Sequence, residues 1–426
     1  KGRHSLKLSF DSRIDPAFSK AIEVSLNQLN ANHSVELDAL EVGLTPESGN
    51  YLVSSSFNDN FSKRSFSHHE ILGENGFVNR EDDTIDRLST IVYMLNYFQE
   101  VGAVDQDDLG RFPFAKSYQA RLGVCTENQV LNLFREFVEE QYSKKVGTKP
   151  SRLFVSHDND SLYGSFTKDG FYALKKGRLD WLLQIVWSEI MRNPRWMNMD
   201  QMMDINDEYD LKSTFFWIAN NRPTPLKNRT LSNGDYQISS SRTQSIIQKI
   251  ASRGFHQGLH KSVNSESFST ELEALPFKTI SNRNHYLRLQ IPEHFSKVDA
   301  SPLEIDFSLG FAEEFGLRNN YALPIRPFDI NRGEQCRALH VPLMVMDTSN
   351  WTYRKQDLSG LQTTLVELLD KHKEDAIISV LWHNKYFTNM KFDGYLEVYR
   401  AMLDFCRNND IRPINQEEIF QQYASK

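Results

Sequence analysis

The residues best placed to do chemistry are two carboxylates one position apart, Asp158 and Asp160, in the run Val155-Ser156-His157-Asp158-Asn159-Asp160. Such a pair repels unless a cation or a proton stands between its members, so one can ligate a metal while the other serves as a base. Spacing alone leaves the two roles exchangeable, and an Asp-rich turn is the commoner use of such a pair. A second group lies in Gly254-Phe255-His256-Gln257-Gly258-Leu259-His260-Lys261-Ser262-Val263-Asn264. Imidazole is a frequent metal ligand. One helical turn between His260 and Asn264 would aim both at one point, and His256 could join them. Three further runs stand at the ends of short apolar stretches: Asn282-Arg283-Asn284-His285-Tyr286, Asp306-Phe307-Ser308-Leu309-Gly310-Phe311 and Leu381-Trp382-His383-Asn384. Taken singly, each has a bland reading, as a surface arginine pair, a turn or a satisfied core histidine.

These runs need a frame that gathers them. From Leu153 onward, short apolar stretches alternate with helical ones: Leu153–Ser156, Leu179–Met191, Ile205–Tyr209, Thr214–Ile218, Arg242–Arg253 and Gly258–His260. Then come Tyr286–Leu289, Leu303–Phe307, Leu343–Met346, a helix over Leu361–His372, Ile377–His383 and a helix over Tyr395–Asn408. Strands separated by helices imply parallel pairing, hence an α/β sheet or barrel, whose chemistry gathers at the carboxyl ends of the strands. The first third reads as a smaller α/β unit. It has a strand over Ser5–Phe10, a helix entered at Pro16, strands near Val35–Leu44 and Tyr51–Phe57, a helix from Asp83 to Val101, and another from Thr126 to Lys145 with Thr126 as its cap. Gly147-Thr148-Lys149-Pro150 reads as a linker, which divides the chain into residues 1–147 and 150–426. Asn220–Ser241 reads as a long loop able to shape a groove, with Asp235 and Tyr236 as possible substrate contacts.

Bulk properties narrow the function classes. A chain of 426 residues exceeds what one core usually serves. A net charge of −7 with interspersed signs argues against a nucleic-acid partner, and no apolar run reaches membrane-span length. The chain starts at Lys1 rather than Met, so a signal sequence could have been removed. Cys125, Cys336 and Cys406 fit neither a disulfide framework nor a thiolate zinc site and read as buried free thiols. The compartment, cytoplasm or cell envelope, stays open, as does the oligomeric state.

In order and separation the runs resemble the motifs of polysaccharide deacetylases, the carbohydrate esterases with a NodB homology domain. The matching residues are Ser156-His157-Asp158-Asn159-Asp160, Gly258-Leu259-His260-Lys261-Ser262, Arg283-Asn284-His285-Tyr286-Leu287, Asp306 to Phe311 continuing into Gly316-Leu317-Arg318, Pro342 to Thr348, and Leu381-Trp382-His383-Asn384. The front third is similar to the leading domain of a bacterial subgroup around Asp108-Leu109-Gly110-Arg111-Phe112. The resemblance implies a distorted (β/α)7-type barrel behind an N-terminal α/β accessory domain. It implies removal of acetyl groups from N- or O-acetylated sugars of a glycan, using one divalent metal, zinc foremost, with nickel, cobalt and manganese as alternatives. It assigns Asp160, His260 and Asn264 to the metal, Asn264 standing where the family has a second histidine. Asp158 becomes the general base, Arg283 its partner, Asp306 the group that fixes the guanidinium, and His383 the acid. The backbone near Tyr286 would hold the oxyanion, and Trp382 would border the substrate. Lys261 replaces a common proline. With Asn264 it motivates an alternative: a weakly active or inactive glycan-binding protein of cell-envelope polysaccharide assembly, with residues 1–147 as a scaffold.

Overall fold

Residue order along the chain explains how the sheet is built. The structure, a computed structural model, describes residues 6–227 and 229–424. The leading part holds a small parallel sheet of β1 (Leu8–Phe10), β2 (Leu40–Gly43) and β3 (Tyr51–Leu52), in that order. Ser5, at the start of the expected first strand, lies outside the described residues. Helix α1 (Pro16–His33) begins where Asp15 accepts from the Ala17 amide at 2.8 Å and Pro16 takes the first turn. Its C-cap is Ser34 in the left-handed region. Helices α2 (Arg87–Leu95) and α3 (Gln129–Tyr142) complete this layer. Three expectations shift here. Tyr51–Phe57 is only briefly a strand, because Ser54 caps a helix over Ser55–Lys63. The helix expected from Asp83 to Val101 spans only Arg87–Leu95, with Asp86 as its cap. The helix expected from Thr126 starts after Asn128 instead.

The large sheet uses β4 (Arg152–Asn159), β5 (Thr214–Trp217), β6 (His256–Lys261), β7 (Ser281–Asn284), β8 (Ile305–Leu309), β9 (Leu339–Pro342), β10 (Val345–Met346) and β11 (Ile377–Leu381). Its order is β9-β8-β7-β6-β5-β4-β11-β10, every pairing is parallel, and β12 (Arg412–Pro413) lies beside β4. The two ends of that order are consecutive pieces of one segment. Residues 339–342 pair with β8 and residues 345–346 with β11, so one interrupted strand closes the sheet on itself. Counted once, it leaves seven strand positions around the ring. The fold is a distorted (β/α)7-type barrel.

Strand parity sorts the side chains. Leu153, Val155, Phe215 and Trp217 join the outer core with helices α6 (Met199–Asp207), α7 (Ser241–Ser252), α8 (Leu358–Lys371) and α9 (Tyr395–Asn408). Their neighbours Phe154, Phe216 and Phe307 turn inward. Phe154 and Phe307 stack at 4.4 Å, and Phe216 meets Phe307 at 5.9 Å. Gly258 makes room for this floor, since a Cβ there would lie 2.4 Å from the Phe216 ring. One expected strand is corrected. Tyr286–Leu289 is not extended, because the strand is Ser281–Asn284 and the chain then turns over His285–Leu287.

A single apolar cluster runs from Phe18, Phe61 and Phe134 in the leading layer to Phe154 and Phe307 in the barrel. Within the contact between them Arg318 is buried, bonding Glu100 through Nε at 2.7 Å and Nη2 at 2.6 Å. Removing one member leaves the other charge buried and unpaired. Glu100→Ala is therefore expected to lower stability by about 3–5 kcal/mol in urea unfolding. Glu100→Ala combined with Arg318→Met should recover most of that loss.

Candidate metal centre

The inner face of the barrel rises from its aromatic floor to a guanidinium and then to a cluster of acceptors. Arg283, fully buried on β7, lies over the Phe216 ring at 4.8 Å. Its Nη1 donates to Asp158 Oδ1 at 3.1 Å and to Ser156 Oγ at 2.7 Å, and its Nε donates to the Phe307 carbonyl at 3.1 Å. Burial pulls the Arg283 pKa down, and the charge of Asp158 opposes the fall without cancelling it. Asp158 is buried within β4, while Asp160 follows the strand and is half-buried.

Above them two imidazoles are oriented by carbonyls. His260 Nδ1 bonds the Arg283 carbonyl at 2.9 Å, and His285 Nε2 bonds the Ser232 carbonyl at 3.1 Å. A carbonyl can only accept, so both of these nitrogens carry the proton. The nitrogens left over, His260 Nε2 and His285 Nδ1, present lone pairs to each other at 3.0 Å. Asp160 Oδ1 completes the triangle, 3.1 Å from the first and 3.3 Å from the second. A proton can bridge only one side of such a triangle. One metal ion satisfies all three corners: bonds of about 2.0–2.2 Å at tetrahedral angles separate donors by about 3.4 Å. The donor set fits a divalent cation of the zinc type. Charge runs the same way. Burial would lift the Asp160 carboxyl, but the charges of His285 and His383 hold it well below the usual range. Burial disfavours His260 charging, yet Asp158 and Asp160 raise its pKa, so the two carboxylates draw positive charge, a proton or a cation, to its Nε2 corner.

His383 stands on the other side of Asp160. Its Nδ1 is 2.7 Å from Asp347 Oδ1, its backbone N–H donates to Asp347 Oδ2, and its Nε2 lies 3.4 Å from Asp160 Oδ2. Burial lowers its basicity, but Asp347 and Asp160 outweigh that and push it up to about 10. A cavity of about 230 Å³ opens over the cluster. Leu287, Ala312, Met346 and Leu381 form an apolar recess in its wall. Tyr286 borders it in a left-handed turn (φ 58°), followed by Leu287 (φ 51°). That turn is braced from the leading layer. Arg111 Nη1 donates to the Tyr286 carbonyl at 3.0 Å, and Arg288 Nε donates to the Leu109 carbonyl at 2.8 Å.

The structure brings Asp158, Asp160, His260, Arg283, Tyr286 and His383 together. Three expected members stand elsewhere. Asn264 is not a ligand: its Nδ2 donates to the Arg222 carbonyl at 3.2 Å and its Oδ1 accepts from Thr224 Oγ1. Residues 261–265 form no helix, so the one-turn spacing from His260 has no geometric meaning. Asp306 does not touch Arg283, because it alternates with inward-facing Phe307. It accepts from Asn282 Nδ2 at 2.7 Å, Ser308 Oγ at 2.9 Å, Ser308 N at 3.0 Å and His294 Nε2 at 3.1 Å. With His294 and His340 it could outline a second metal group, but these donors already fill the carboxylate, which makes it a hydrogen-bonding hub. Trp382 is buried among Tyr395 and Tyr399 in the outer core, and Leu381 takes the inward place. His256 lies 3.3 Å from Glu417, away from the cluster. Lys261 turns aside to Glu271 at 2.7 Å.

His285 and Asp347 went unassigned in the sequence. His285 sits inside the Arg283-Asn284-His285-Tyr286 run, and its place straight after a strand was the signal for it. Asp235 buttresses the loop through Leu162 N at 2.7 Å rather than facing the cavity. Tyr236 is buried, its hydroxyl accepting from Ile218 N at 2.8 Å. The three cysteines are free and buried.

No protein-family model matches the sequence, and no curated protein matches it. Among solved structures, one match is a protein from Mycobacterium smegmatis assigned provisionally as a polysaccharide deacetylase. The two share 12% identity and a TM-score of 0.36 over 65% of this chain and 90% of that one. So loose a likeness carries no argument about chemistry, which must rest on the cluster itself.

If the triangle is a metal centre, the chain should retain about one zinc ion after dialysis against the free ion. His260→Ala, His285→Ala and Asp160→Asn should each weaken that binding by at least about 100-fold, as read by a chromophoric zinc competitor. Asn264→Ala should leave it within about twofold.

Proposed function

We propose that the chain is a metal-dependent hydrolase that removes acetyl groups from the N- or O-acetylated sugars of a polysaccharide. The observation carrying this reading is the convergence of three unprotonated acceptors from Asp160, His260 and His285, with a carboxylate and a charged imidazole beside them. When bound, a divalent cation, zinc foremost, would supply Lewis-acid polarisation of the acyl carbonyl and a lowered pKa for water.

The protein's own groups divide the remaining work. Asp158 Oδ2 lies 3.6 Å from His260 Nε2, on the inner side of the cluster. It takes the proton of the attacking water, and Arg283 holds its other oxygen in place. His383, whose charged form the buried Asp347 carboxylate favours, gives a proton to the departing amine or alkoxide. Asp347 fixes the ring that does this. Leu287, Ala312, Met346 and Leu381 give the cavity an apolar wall against which an acetyl methyl group would lie. The turn at Tyr286 places backbone at the rim, where an oxyanion would form.

The glycan-binding alternative rested on Asn264 and Lys261. Neither touches the acceptor triangle, so neither weakens the hydrolytic reading.

Acetate release from N-acetylated and O-acetylated oligosaccharides is the direct test. The wild-type chain should release acetate, stop after chelation, and recover when zinc is restored. Asp158→Asn and His383→Ala should each lower kcat by about 10²–10⁴ while zinc stays bound. A zinc-loaded chain inactive on every acetylated glycan tried would sink the proposal.

A further inference from the structure

Among the described residues, nine of the thirteen large apolar side chains that stand exposed fall between Phe166 and Met191. They belong to a hairpin of two helices, α4 (Ser165–Lys175) and α5 (Leu179–Ile190), inserted directly after β4. Leu179, Leu183, Trp187 and Ile190 follow one stripe along α5 at helical spacing, each more than 60% exposed. Phe171 and Leu174 extend the patch onto α4. The opposite stripe is already used: Ala173 and Ile185 pack on Met390, with Trp181 and Leu182 beside them. The outward stripe is thus a second apolar face on helices whose structural face is occupied. A soluble chain rarely exposes so continuous a patch without a partner for it.

Charge identifies the partner. The whole chain carries −7, yet residues 165–192 hold the exposed cations Lys168, Lys175, Lys176, Arg178 and Arg192. Against them stand exposed Asp180, which pairs with Arg178, half-buried Glu189, and buried Asp169. A twofold dimer through this patch would set like-charged rims against each other. An anionic bilayer offers both what the stripe needs, an apolar interior, and what the rim needs, negative headgroups. Tryptophan, phenylalanine and leucine beside lysine and arginine are the composition of helices that lie in a bilayer interface. No described helix is long and apolar enough to cross a membrane.

We propose that the α4–α5 hairpin seats the protein on an anionic lipid surface, with the Leu179–Ile190 stripe immersed and the lysine and arginine rim on the headgroups. The hairpin leaves the barrel at the strand end that bears Asp160, and Lys168 lies within the electrostatic reach of Asp160 and Lys385. The cavity over the acceptor cluster therefore opens at the same end of the barrel as the lipid-facing helices. The inference needs only the hairpin and stands without the hydrolytic reading.

Flotation of the whole chain with two vesicle types tests it: phosphatidylcholine alone, and phosphatidylcholine with about one-third phosphatidylglycerol. The chain should float with the anionic vesicles at least about tenfold better, and should be released at about 0.5 M salt. Its tryptophan fluorescence should shift to the blue on those vesicles, and Trp187→Ala should abolish the shift. Leu183→Glu with Trp187→Glu should abolish flotation while circular dichroism and zinc content stay unchanged, since both side chains are exposed. Flotation on neither vesicle, or on both alike, overturns the proposal. So does flotation that the double variant keeps, or a dimer in sedimentation velocity that the double variant dissolves, which would mark the face as a protein interface.

Discussion

Three lone pairs aimed at one point are the constraint on which the rest of the site depends. His260 Nε2, His285 Nδ1 and Asp160 Oδ1 stand 3.0–3.3 Å apart, and as lone pairs they repel one another. They are held from behind. The Arg283 carbonyl turns one imidazole and the Ser232 carbonyl turns the other, so each ring has its tautomer set by a backbone oxygen. Arg283 works twice, its carbonyl orienting His260 while its guanidinium orients Asp158. Shifting β7 by one residue would undo both at once. The aromatic floor beneath is part of the same device, since the flat face of Phe216 supports the guanidinium where no water could.

The leading layer enters the site without offering a reacting group. Arg111 holds the Tyr286 carbonyl and bonds Tyr353 at 3.0 Å, while Asp107 holds Arg111 through Nε at 2.8 Å. Tyr286 and Leu287 are two successive non-glycine residues with positive φ, a conformation that persists only when its surroundings impose it. Residues far away in the chain supply that imposition, and the buried Arg318–Glu100 pair anchors the same contact from below. The leading layer is thus a wall and a brace.

The alternation of strands and helices was legible because barrel strands buried on both faces read as continuous apolar runs between amphipathic helices. Tyr395–Asn408 was placed to the residue, its stripe being strong and its neighbours polar. What parity decides was not legible. Asp306 and Trp382 each lie one residue from an inward-facing neighbour, Phe307 and Leu381, and a run of letters does not say which of two adjacent residues looks into a barrel. Asn264 was misplaced by a helical rule applied to an irregular segment. His285 was missed although its place straight after β7 marked it, because the direction the chain takes there is set by the left-handed residues Tyr286 and Leu287. Motif order could mark the neighbourhood of the site, while ligand identity depended on backbone direction over two or three residues.

The division between acid and base that we propose has a physical root in the two buttresses. Asp158 is paired with a cation that cannot leave it, and His383 with an anion that is fully buried. Arg283 fixes the direction of the Asp158 carboxylate, and Asp347 favours the charged form of the imidazole. Asp160 lies between them and contributes to the high pKa of His383. If a cation took up the charge of Asp160, that contribution would shrink, while the contact of His383 with Asp347 at 2.7 Å does not depend on the triangle. The imidazole that we propose as the acid is thus held by a residue outside the acceptor triangle.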